Sequence, residues 1–175
     1  MRVRQLCPTA GARAFYPLRF QHANDSLGQG NDYHSLGHAY LKLHKPNEAE
    51  TSFYKALESH KLANNVLNQG HDYYGLGRVY LSLGKLEKAE SLFYKSLDLY
   101  KVINYELGQG NVLLELGKVY VEMSKLEMSK LKDARRMFEE ALIMHKQSQN
   151  SGQKNDEYYL NEVLPKLELS SYNCQ

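Results

Sequence analysis

Leu27-Gly28-Gln29-Gly30-Asn31 recurs as Leu67-Asn68-Gln69-Gly70-His71 and again as Leu107-Gly108-Gln109-Gly110-Asn111, each copy 40 residues after the last. Laid side by side without a gap, 27–66 and 67–106 agree at 19 of 40 positions, spread along the segment rather than gathered in one block. A fixed period of this length marks an array of supersecondary units, each burying its apolar face only against its neighbours.

Each unit reads as two helices. Tyr33, Leu36, Gly37, Tyr40 and Leu43 follow the spacing of one helix face, and after a break at "HKPN" Ala49, Phe53, Ala56 and Leu57 mark a second. Pro46 suits the first turn of that second helix, where its missing N–H is not needed. Tyr73, Leu76, Gly77 and Tyr80, then Ala89, Phe93 and Leu97, repeat the scheme; so do Leu113, Leu116, Gly117 and Tyr120, then Ala134, Phe138, Ala141 and Leu142. Glycine inside a helix costs roughly 0.8–1 kcal/mol relative to alanine. Its return at Gly37, Gly77 and Gly117 implies a close helix crossing, with Ala49, Ala89 and Ala134 as the expected opposite wall.

The expected organisation is a basic leader with the remnant of a preceding helix over 1–26, units over 27–66, 67–106 and 107–150, and a capping helix with a tail over 151–175. "FQHANDSLGQG" at 20–30 parallels "YKVINYELGQG" at 100–110, so the chain is expected to begin inside an array. The third unit carries five extra residues, a local duplication of "SKLEM" at 124–128 by "SKLKDA" at 129–134, which should lengthen its first helix or bulge its turn. Pro165 is expected to discourage continuation of the cap.

Several function classes fall away. The "GQG" stretch has no third glycine where a dinucleotide loop needs one, Tyr33 standing there instead, and no β-branched run precedes it. Net charge is +2, but Arg2, Arg4, Arg13 and Arg19 all precede the first acid, Asp25, leaving 18 basic against 20 acidic residues from there on. A mildly acidic body argues against nucleic acid as a partner. No apolar run approaches the ~18 residues of a membrane span. Cys7 and Cys174 form no metal or redox motif, which fits reduced thiols in a cytoplasmic protein. His34 and His38 share a helix face with His71 within reach of the next unit, but no nearby carboxylate or thiolate completes a metal set, and no catalytic constellation is evident. No cofactor and no enzymatic activity are expected.

Leu36-Gly37, Tyr40, Ala49, Phe53 and Ala56 together resemble the tetratricopeptide repeat, a helix–turn–helix unit; the second copy departs only at Ser96 and the third only at Leu113. Units of 40 residues with a "GQGN"-like entry are similar to those of kinesin light chains and Pins-like spindle adaptors, and to the arrays that end many STAND-type signalling ATPases. The resemblance implies an all-α, right-handed solenoid of about three repeats plus a capping helix. It implies a protein-interaction adaptor or scaffold that takes an extended peptide in a concave groove. Carried over by position, the groove presents Asn31, His71 and Asn111 in one row, His34, Tyr74 and Leu114 in a second, and His38, Arg78 and Lys118 in a third. The rows suggest a protein or peptide partner that is acidic or ends in a free carboxylate. The alternative is a non-catalytic sensor or oligomerisation fragment of a larger signalling protein, with self-association as its consequence.

Overall fold

The computed structural model describes residues 26–149 and 152–172. The leader, and all but the last residue of the expected helix remnant, lie outside these residues. Six helices run as three antiparallel pairs: α1 (Ser26–Lys42) with α2 (Pro46–Leu62), α3 (Val66–Ser82) with α4 (Leu86–Val102), and α5 (Glu106–Ser124) with α6 (Lys130–Gln147). A terminal segment follows, made of α7 (Gln153–Tyr158), a π-helical turn (Tyr159–Val163) and α8 (Leu164–Tyr172). Each helix packs on its sequence neighbours, and α1, α3 and α5 also touch in series, which is the layout of an α-solenoid. Gly28 and Gly30 lie within α1, so the "GQG" stretch is helix and not a phosphate-cradling loop.

The first four turns between helices close in one way. After α1 the chain enters the left-handed region at His44 (φ 55°), His44 N–H bonds Leu41 C=O, and Lys45 N–H reaches back to Tyr40 C=O. Gly84, Asn64 and Asn104 repeat this geometry after α3, α2 and α4, with Lys85, Asn65 and Tyr105 reaching back to Tyr80, His60 and Tyr100. This paired closure satisfies the last carbonyls of each helix, and glycine and asparagine are the residues that adopt the left-handed conformation most readily. Pro46 opens α2, and the Asn65 side chain accepts from Asn68 N–H at the start of α3.

Phenylalanine, not alanine, stands opposite the mid-helix glycines. A Cβ on Gly37, Gly77 or Gly117 would come within 2.9, 2.5 and 2.4 Å of the rings of Phe53, Phe93 and Phe138. Ala49, Ala89 and Ala134 are buried too, yet none of them lies nearest these glycines. A bare stretch of backbone on the first helix is thus a socket for an aromatic ring on the second. The glycines of the repeated entry work alike: a Cβ on Gly30, Gly70 or Gly110 would come within 2.4–2.7 Å of the rings of His60, Tyr100 and His145.

The extra residues of the third pair extend α5 to 19 residues against 17 in α1 and α3, and widen the turn that follows. Pro165 does not end the cap. The chain passes through the π turn, where Leu164 N–H bonds Tyr159 C=O, and continues in α8 to Tyr172. A wider turn just before a proline relieves its clash with the preceding turn and accommodates its missing N–H. Leu164 is fully buried there, and the Tyr159 ring stacks on Phe138 at 4.6 Å between centroids.

Gly77→Ala should force the Phe93 ring out of its socket and lower stability by about 1–3 kcal/mol in urea denaturation. Adding Phe93→Leu should make the two losses less than additive. Full additivity would mean that the ring and the glycine do not depend on one another.

Candidate peptide-binding trough

The first row of candidate residues is tied into the framework. Asn31 Oδ1 lies 3.2 Å from His60 Nε2 and accepts from Asn68 Nδ2 at 2.9 Å. His71 Nδ1 pairs with the Tyr100 hydroxyl at 2.6 Å, and Asn111 Oδ1 lies 3.2 Å from His145 Nε2. Each row member therefore meets the ring at the end of its own pair's second helix. The Asn31 and Asn111 amide oxygens are therefore already engaged within the framework.

A carboxylate from the next element holds two of these rings. His60 Nδ1 is 2.6 Å from Asp72 Oδ2, and His145 Nδ1 is 2.6 Å from Asp156 Oδ2, with both acids fully buried. The middle ring is Tyr100, and the corresponding position of the next helix is Val112, apolar and buried. The residues thus change as sets: Asn31, His60 and Asp72; His71, Tyr100 and Val112; Asn111, His145 and Asp156.

The second row divides three ways. His34 Nδ1 donates to Asp72 Oδ1 at 2.8 Å, so this ring is tied to α3. Tyr74 packs on Phe93 at 5.9 Å, and burial raises its hydroxyl pKa above the ordinary value. Leu114 is 6% exposed and so is core, not groove lining. Its presence has a visible consequence. Asp156 Oδ1, the counterpart of the oxygen that His34 satisfies on Asp72, is buried with no hydrogen-bond partner. Burial pushes the Asp156 carboxyl up, while its bond to His145 pulls the other way.

In the third row Arg78 is exposed, while His38 and Lys118 are half-buried. His38 Nε2 meets His34 Nε2 at 3.1 Å, and its ring stands edge-on to Phe53 at 5.1 Å. Burial first, then His34, Arg78, Lys42 and His71, hold the His38 pKa down from 6.5 to about 4. Burial and His34 likewise lower that of His71. Arg78 is exposed, its guanidinium 5.9 Å from the centre of the Tyr74 ring. Lys118 pairs with Glu115 at 2.9 Å and lies 6.0 Å from the Tyr159 ring.

Of the nine candidates, only Lys118 lines a surface trough beside the terminal segment. This trough, about 710 Å³, opens between the end of α3, the start of α4, α5 and the terminal segment. Leu81, Leu86, Val121, Tyr159 and Val163 supply its apolar wall, with Lys118 and Glu122 as its charged groups. Leu81 and Val121 follow Arg78 and Lys118 by three residues, so one further turn along the same face would have found them in the sequence.

A model of the tetratricopeptide repeat matches residues 31–101 and, again, 72–147. The chain belongs to the tetratricopeptide repeat family. No curated protein was found to match it. Tetratricopeptide repeats generally mediate protein–protein interaction and are not generally catalysts. No helix among the described residues is long and apolar enough to cross a membrane.

His38 gives a pH test. Because its folded pKa lies below the ordinary value, the unfolded chain takes up a proton that the folded chain refuses. Stability should therefore fall as pH drops from about 6.5 to about 4, with no further loss from this group below that. His38→Gln should flatten the melting temperature over this window, and a slope unchanged from the wild type would show that another group carries it.

Proposed function

We propose that this chain is a cytoplasmic adaptor that takes an extended peptide segment in the trough between α3, α5 and the terminal segment. The supporting observation is the trough itself: an open apolar wall with Lys118 in it and Arg78 one repeat earlier on the same face. Apolar side chains of the peptide pack on Leu81, Val121 and Val163, while an acidic side chain or a terminal carboxylate meets the two cations. Glu115 already holds Lys118, so an incoming carboxylate shares or displaces that bond. The trough is apolar with only a few charged groups, as expected of a peptide site rather than a polyanion surface.

A second reading, an end face for self-association, is favoured by α1. Leu36 is 38% exposed although Leu76 and Leu116, in the same register, are fully buried, and Leu43 is 63% exposed. Light scattering during size exclusion separates the readings. A monomer at micromolar concentration supports the adaptor, and a dimer lost on Leu36→Glu supports the end face.

The peptide site is tested with a displayed library of random extended peptides, including free C-termini. Selected sequences should be enriched in acidic residues. The Arg78→Glu, Lys118→Glu pair should weaken them at least tenfold with helicity unchanged. Binding unaffected by the pair would remove the trough from the account.

A further inference from the structure

We infer that His34 and His38 form a two-histidine site for a divalent transition-metal ion of the zinc, copper and nickel class. Two histidines four residues apart on a helix face the same way, and here their Nε2 atoms stand 3.1 Å apart. Two imidazole–metal bonds of about 2.0–2.1 Å meeting at close to 100° span that distance.

Neither ring is loose. Both stand edge-on to Phe53, at 5.5 and 5.1 Å between centroids. His34 Nδ1 donates to Asp72 Oδ1 at 2.8 Å, and Asp72 is held from its other oxygen by His60 Nδ1 at 2.6 Å. With its proton on Nδ1, His34 presents a lone pair at Nε2. His38 needs only to carry its proton on Nδ1 to present a second beside it. A buried carboxylate behind a ligating imidazole is the usual outer support of a histidine–metal bond, fixing the tautomer and raising the basicity of the ligand.

The site has two protein donors. Among the described residues no three or more His, Cys, Asp or Glu side chains are placed to hold an ion together. His71, whose ring centre is 6.2 Å from that of His34, is engaged through Nδ1 with Tyr100. Water or a donor from a partner fills the remaining positions. Nitrogen ligands favour copper, nickel and zinc over magnesium and calcium.

The chain carries its own control. The clamp of His60 on Asp72 recurs as that of His145 on Asp156, but there Leu114 and Lys118 occupy the positions of His34 and His38. The clamp therefore forms without the paired imidazoles, and His34→Leu with His38→Lys copies a combination that this fold already accommodates.

The test is a Zn²⁺ titration of the full chain followed on the histidine ring resonances, which resolves each site without a variant. His34 and His38 should shift together along one isotherm that saturates at one equivalent, while His44 and His145 stay in place. Calorimetry should show the same affinity falling at least tenfold in the His34→Leu, His38→Lys chain, with far-UV helicity retained, and about 10–100-fold in Asp72→Asn. Ring resonances of His34 and His38 that do not move, or an isotherm unaltered in the double variant, would overturn the site.

Discussion

Aromatic rings sunk against bare backbone hold this solenoid together. Phe53, Phe93 and Phe138 are fully buried, each against a glycine on the partner helix where a methyl group would already collide. The balance favours this arrangement. A mid-helix glycine gives up about 1 kcal/mol, whereas removing a buried phenylalanine side chain typically loses 3–5 kcal/mol. Phe53 also meets Gly75 of the following pair, so one ring fixes both the pairing within a unit and the step to the next.

A second set of rings, His60, Tyr100 and His145, marks the end of each second helix. Here the sequence varies, but in concert. Histidine comes with asparagine on one side and aspartate on the other, tyrosine with histidine and valine. The outer junctions pair an imidazole with a buried carboxyl group and the middle one does not. Buried charge is weak evidence for added stability, because desolvation offsets much of the attraction, but breaking such a pair from one side leaves an uncompensated charge. Further links tie neighbouring pairs: the hydroxyls of Tyr80 and Tyr120 donate to Glu50 and Glu90 of the pair before. Tyr80 and Tyr120 recur in sequence partly for this polar reason, beyond the apolar one.

The helix pairs, the repeated glycines and the added residues of the third pair were legible because periodicity is a local signal. Which atom lies opposite a glycine was not, since a missing side chain announces closeness without naming the neighbour, and the neighbour was Phe53 rather than Ala49. Asn31, His71 and Asn111 share a register with groove positions, yet that register says nothing of rings some thirty residues away that claim their side chains. The concerted changes at 31, 60 and 72 were present in the sequence as an unread signal. Leu114 breaks a row of polar residues, and its hydrophobicity alone pointed inward. The π turn had one cue, Pro165, which was read as a stop because proline usually ends a helix; a wider turn before it let the chain continue. The trough was partly visible: Lys118 came from register and Leu81 and Val121 lay one turn further along that face, but Leu86, Tyr159 and Val163 needed the approach of separate elements.

The rings and their neighbours act as matched sets, and denaturant unfolding of a transplanted set tests that most directly. His60→Tyr alone should strip Asp72 of one partner and crowd Asn68, lowering stability by about 3 kcal/mol or more. Asn31→His, Asn68→Gly and Asp72→Val added to it rebuild the middle junction between the first two pairs, and most of the loss should return. If the full set is as unstable as its separate changes summed, the rings do not act with their neighbours, and the junctions described here are not what holds the repeats in step.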